Sequence, residues 1–123
     1  MMKRKIEKNS MVEICPIRNV VARFGNKWSL LIVLVLSENG KTRFNQLNKL
    51  IPDISTKVLS GALQTLEADG LVIRTVFPEV PIRVEYELSE TGLSLVPIIQ
   101  RLTDWAMQNM KSIMKHREMY EAM

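Results

Sequence analysis

The sequence predicts a mainly helical domain with one small β-hairpin, arranged as a winged helix-turn-helix. Three observations predict it. Four successive segments between residues 16 and 68 place apolar side chains at helical spacing, and each closes on a helix-breaking pair. Over residues 71–88 the period shortens to two, on either side of a tip carrying two prolines. Helical spacing then returns after Ser89-Glu90-Thr91-Gly92 and persists toward the end of the chain.

The elements follow in order. Residues 1–13 read as a polar, basic arm that is expected to be mobile, and residues 14–123 as the domain proper with a C-terminal dimerisation helix. Cys15-Pro16 opens the first helix, because proline suits the first helical position, where its missing N–H has no partner to lose. Ile17, Val20, Val21 and Phe24 form its apolar face, and Gly25-Asn26 stops it. Residues 27–37 form a second helix with almost no polar face, expected to be buried on most sides as the central post of the core. Asn39-Gly40 ends it. A short helix over 43–50, capped by Thr42, points Phe44, Leu47, Leu50 and Ile51 inward. Pro52-Asp53 breaks the chain, and Ser55 caps the next helix. That helix buries Val58, Leu59, Ala62, Leu63 and Leu66, and Asp69-Gly70 stops it.

Strands are expected at 71–77 and 82–88. The second alternates strictly, with Ile82, Val84, Tyr86 and Leu88 inward and Arg83, Glu85 and Glu87 outward. Pro78-Glu79-Val80-Pro81 makes a stiff tip. The last helix carries Leu95, Ile98, Ile99, Leu102 and Trp105, and Pro97 is a candidate kink.

Composition narrows the function. The chain has 123 residues, 46% hydrophobic and 24% charged, which suits one folded domain and excludes a disordered one. The longest apolar run, residues 30–36, is far short of the roughly 20 residues of a membrane span. No apolar signal core follows the charged start, so cytoplasmic location is expected. One cysteine excludes an internal disulfide; with one histidine it leaves too few ligands for a Cys/His metal site, and no cofactor is expected. Net charge is +4, but between residues 18 and 57 seven basic residues face only Glu38 and Asp53, so that segment alone carries +5.

In a winged helix-turn-helix, the helix at about 55–68 is the recognition helix and the hairpin at about 71–88 the wing. A helix fits the DNA major groove only if its outer face lacks bulky apolar groups and is poor in acids. Thr56, Lys57, Ser60 and Gln64 meet that condition and are the expected base-reading residues. Ser55 and the free N–H groups of the first turn suit a phosphate. Gly61 permits close approach of the DNA backbone. Lys27, Arg43 and Arg83 are the expected phosphate clamps.

Several motifs, in order, resemble one family, the HxlR-type transcriptional regulators. Cys15-Pro16 with Gly25-Asn26-Lys27-Trp28-Ser29-Leu30-Leu31-Ile32 resembles the family's opening, and Arg43-Phe44-Asn45-Gln46-Leu47 follows it. Ile54-Ser55-Thr56-Lys57-Val58-Leu59-Ser60, Leu66-Glu67-Ala68-Asp69-Gly70-Leu71-Val72 and the wing around Pro78-Glu79-Val80-Pro81 and Val84-Glu85-Tyr86 are similar to its later segments. The resemblance spans roughly residues 15–106. It implies a dimeric winged-helix protein that binds a dyad-symmetric operator on double-stranded DNA, with a small-molecule effector or electrophile as a further partner and no membrane. Three residues depart from the family pattern. Asn26 replaces a second glycine, Phe77 replaces a tyrosine, and Gly61 stands where a longer polar residue is frequent, which shifts base contact toward Thr56, Lys57 and Gln64.

Two further expectations concern control and assembly. Cys15 is expected at a helix N-terminus, where the helix dipole favours a thiolate, and the resemblance extends to some HxlR-type proteins that use the cysteine of their Cys-Pro pair to sense electrophiles or oxidants. Its alternative is a buried, inert cap. Trp105, Met107, Met110, Ile113 and Met114, with Ile17 from the first helix, are expected to form the dimer interface, since the last helix has more apolar surface than a small domain can cover. A protein-interaction module without specific DNA binding is the other reading of the same fold. No catalytic residues are expected. His116 stands alone in a charged segment, no glycine-rich phosphate loop is present, and Glu85 and Glu87 read as a solvated strand face.

Overall fold

A computed structural model describes residues 27–123. The arm at 1–13, the helix opened by Pro16, and with them Cys15 and Ile17, lie outside the described residues.

Within that span α1 (Ser29–Asn39) is followed by a short strand β1 (Thr42–Arg43), then α2 (Phe44–Leu50), α3 (Thr56–Ala68), β2 (Val72–Phe77), β3 (Arg83–Leu88) and the long α4 (Glu90–Glu121). Helix α1 buries Ser29, Ile32, Val33 and Leu36 and half-buries Leu30, Leu34 and Val35, while Leu31 stays exposed. It packs against α3, α4 and β3, the position of a central post with one open side. Leu47 and Ile51 from the second helical segment, Leu59, Leu63 and Leu66 from α3, Tyr86 and Leu88 from β3, and Ile99 from α4 complete the core. Each of the large aliphatic side chains among them contributes about 1.5–3 kcal/mol by leaving water.

The stop signals work as the residues dictate. Gly40 takes φ +69° and donates its N–H to the Leu36 carbonyl at 2.9 Å. At the end of α3, Gly70 takes φ +78°, its N–H reaches the Glu67 carbonyl, and the Leu71 N–H reaches the Leu66 carbonyl, both at 3.0 Å. That pair of bonds is a Schellman close, and it turns the chain directly into the wing. Between α2 and α3, Asp53 takes the left-handed conformation, φ +67°, which Asp tolerates better than branched residues.

Three expectations change. Thr42 does not cap α2. It lies in β1 opposite Tyr86, and its hydroxyl donates to the Gly40 carbonyl at 2.9 Å, leaving Arg43 at the N-cap with no side-chain bond. The strand β1, too short to show a period, adds a third strand in the order β1-β3-β2, all antiparallel. Leu50, Val58 and Ile82 are exposed rather than inward, at 41%, 38% and 69%. Leu50 and Val58 lie to one side of their buried stripes, Leu47/Ile51 and Leu59/Leu63/Leu66, and Ile82 precedes the first paired residue of β3. Pro97, the candidate kink, lies inside α4, which continues past it to Glu121.

The α4 start is locked to the wing. Ser89 accepts a hydrogen bond from the Gly92 N–H at 3.1 Å, donates its hydroxyl to the Gly70 carbonyl at 2.6 Å, and gives its own N–H to the Leu71 carbonyl at 3.0 Å. Gly92 is buried there, so close to the Leu71 carbonyl oxygen that a Cβ would run into it.

Candidate nucleic-acid interface

Helix α3 turns one face inward and one outward. Leu59, Ala62, Leu63 and Leu66 are buried, whereas Thr56, Lys57, Gly61, Gln64 and Thr65 are exposed and Ser60 is half-buried. At the helical advance of about 100° per residue, Thr56, Ser60, Gln64 and Lys57 fall within an arc of about 100°. The four residues expected to read bases therefore share one accessible surface. No acidic residue lies in the first turn of α3.

The N-terminus of α3 is built by short polar groups. Ser55 sits in extended backbone and its hydroxyl oxygen accepts the Val58 N–H at 3.1 Å. Asn48, on α2, donates its side-chain amide to the Thr56 hydroxyl at 3.2 Å. This bond spans the turn of the helix-turn-helix. It occupies a lone pair of the hydroxyl and leaves its proton to be donated outward. Asn48 was invisible in the sequence, where an Asn on a short helix carries no periodic signal. Thr65 extends the outer face, with its hydroxyl donating back to the Gly61 carbonyl at 3.2 Å. Nothing lies within 4 Å of the place a Cβ would take on Gly61.

The expected cations differ in their surroundings. Lys57 projects from α3 itself. Arg43 is exposed at the join of β1 and α2, and Lys27 is exposed just before α1 with its ammonium 5.1 Å from the centre of the Trp28 ring. Among the described residues neither Lys57 nor Arg43 forms an ion pair. Arg83 differs. It sits where β3 leaves the wing tip, paired with Glu79 at 2.8 Å and Glu85 at 2.6 Å, its guanidinium 3.8 Å from the centre of the Phe77 ring. The hydrogen bond from Arg83 holds the Glu79 carboxyl below its ordinary range, and that from Glu79 holds the guanidinium above its own.

The last helix carries the other candidate surface. Beyond Ile99 no residue of α4 is buried. Trp105, Met107, Met110, Ile113 and Met114 are 56%, 77%, 46%, 37% and 49% exposed, with Ile98 and Leu102 leading up to them. Among the described residues no group of His, Cys, Asp and Glu is placed to hold a metal ion, and no helix is long and apolar enough to cross a membrane.

Three helices with the third facing outward, a hairpin joined by a third short strand, and a long closing helix define a winged helix-turn-helix fold. Residues 23–114 match the family model described as HxlR-like helix-turn-helix, and the chain belongs to that family. An HTH-type transcriptional regulator of Methanothermobacter thermautotrophicus is 42% identical over 92 residues, covering 75% of this chain and 70% of the relative. The reduced form of the transcriptional regulator YodB from B. subtilis superposes with a TM-score of 0.67 at 36% identity, over 76% of this chain and 90% of that one. The redox regulator HypR in its reduced form gives a TM-score of 0.73 at 34% identity, over 81% of this chain and 98% of that one.

Proposed function

We propose that two copies of this chain bind a dyad-symmetric DNA operator, each laying the outer face of α3 into a major groove and its wing against the flanking groove or backbone. The observation that carries this reading is the α3 surface itself: polar, accessible and carrying Lys57. Thr56, Lys57, Ser60 and Gln64 read base edges, Ser55 and the first-turn N–H groups hold a phosphate, and Lys27 and Arg43 clamp the backbone.

Dimerisation follows from the energetics of α4. Its last turns have no core to lean on, whereas most helical stability in proteins comes from packing an apolar face against a partner. A second copy covering Trp105, Met110, Ile113 and Met114, with Ile17 from the first helix, supplies the missing partner. The two recognition helices then lie about 34 Å apart, or a multiple of that, along the duplex.

Thiol modification of Cys15 controls the complex. YodB has been solved both reduced and diamide-treated, and HypR both reduced and oxidised. Because this chain has one cysteine, the switch takes the form of a Cys15–Cys15 bond between subunits or a mixed disulfide with a small thiol, formed as an oxidant of the diamide or quinone class takes up the two electrons and two protons that the pair of thiols gives up. The site of action is the cytoplasm, where the DNA is.

Salt titration of duplex binding tests the reading. A DNA regulator loses affinity linearly on a log–log plot, with a slope of about −0.9 for each phosphate neutralised. A flat response, with no duplex enriched from a randomised pool, rejects it.

A further inference from the structure

We propose that Arg83 is a positioning residue, which ties the wing tip to the wing's own strands and takes no DNA phosphate. The inference rests on the DNA-binding reading above and departs from the role of phosphate clamp that the sequence suggested for this arginine.

Arg83 is the first residue of β3 and pairs with Phe77, the last residue of β2, so it stands where the hairpin ladder ends and the tip begins. Glu79 belongs to the tip. Its two carboxylate oxygens receive the Arg83 Nε and Nη2 at 3.3 and 2.8 Å, a two-pronged grip. Nη1 donates to Glu85 at 2.6 Å. One face of the guanidinium lies over the Phe77 ring. The group is thus held along its edges by two carboxylates and on a face by an aromatic ring, and its side chain is only 24% exposed.

Electrostatics completes the argument. Two carboxylates take up the charge of Arg83 and of Arg43, which is close enough to act on Glu79, so the group is about neutral and gives a phosphate no net attraction at Arg83. For Arg83 to reach DNA it must release Glu79, and that carboxylate then stands unpaired next to the DNA backbone. The same contacts connect the tip to both strands, which fixes the aim of the wing before DNA arrives and lowers the ordering cost of binding. Lysine cannot substitute, since a point charge has neither the fork nor the flat face.

Two measurements on the full chain test this. The first is ¹⁵N relaxation of the Glu79, Val80 and Ile82 amides without DNA. Order parameters near the rigid-backbone value of about 0.85 are expected in the wild type, falling toward about 0.6 in Arg83→Gln and in Glu79→Ala. The second is the salt slope on a duplex enriched from a randomised pool by the wild-type chain. Arg83→Gln should weaken binding several-fold with the slope unchanged, while Arg43→Gln flattens the slope by about 0.9. A slope flattened to the same degree by Arg83→Gln, or a tip that stays rigid in both wing variants, overturns the proposal. If the wild type enriches no duplex, the DNA-binding reading falls instead, and the relaxation data alone decide whether Arg83 ties the tip.

Discussion

Adding one methyl group at Gly92 should destabilise the chain by about 2 kcal/mol, whereas adding it at Gly61 should stabilise it by up to about 1 kcal/mol. Both glycines are helical, so propensity alone predicts the same sign for both. The surroundings differ. A Cβ on Gly92 meets the Leu71 carbonyl oxygen, which is backbone and cannot rotate away, and it also stands 3.2 Å from a Leu88 methyl. The start of α4 must therefore back off from Gly70 and Leu71. That movement stretches the bonds from Ser89 to both carbonyls, and with them the Ser89 cap on the Gly92 N–H. Overpacking of this kind costs about 1–3 kcal/mol, and a weakened cap about 1 more; against this, alanine returns up to about 1 kcal/mol of helix propensity. Gly61 has open space where its Cβ would go, so only the propensity gain remains. Thermal melts at one fixed protein concentration give the readout, because the midpoint of a dimer depends on concentration. At about 4 °C per kcal/mol for a chain of this size, Gly92→Ala should melt roughly 8 °C lower and Gly61→Ala a few degrees higher. A Gly92→Ala protein as stable as the wild type would refute the packing argument at the junction of wing and last helix.

Other outcomes follow from the same structure. Asp53→Gly relieves a non-glycine residue at φ +67° and should leave stability level or raise it by up to about 1 kcal/mol in urea unfolding, whereas Asp53→Val should lower it by more than that. Gly61→Leu keeps a good helix former on an open face, so the fold should survive; duplex affinity should fall on the order of 10-fold as the side chain blocks close approach, and an unchanged affinity would place DNA elsewhere. Met110→Asp should shift the sedimentation profile toward monomer at micromolar concentration, and a dimer that survives both this change and Trp105→Asp would remove α4 from the interface. Cys15→Ser should abolish any loss of DNA binding caused by diamide; a response equal to the wild type's ends the thiol reading.

The helices were legible because their apolar spacing and their stop residues agree. Asn39-Gly40 and Asp69-Gly70 end α1 and α3 with glycines at positive φ, as those dipeptides predict. The polar face of α3 was equally readable, since a core stripe of Leu59, Ala62, Leu63 and Leu66 fixes which way Thr56 and Gln64 point. What escaped depends on partners distant in sequence. Thr42 reads as a cap until β3 comes alongside and makes it a strand residue. Asn48 gains meaning only when the turn brings Thr56 to it. Arg83 reads as a surface cation on an alternating strand; its engagement with Glu79 and Phe77 is a product of the hairpin register and the fold of the tip. Gly92 gives no hint in the sequence that Leu71 lies against it.

Methylation interference at guanine N7 on an enriched duplex addresses the central claim most directly, because N7 lies in the major groove, where the proposed complex puts α3. Two interfering clusters on one side of the duplex, about one helical turn or a whole multiple of it apart and related by a dyad, are the predicted result. A single cluster, or binding indifferent to N7 methylation throughout the protected region, would contradict the placement of paired α3 faces in the major groove.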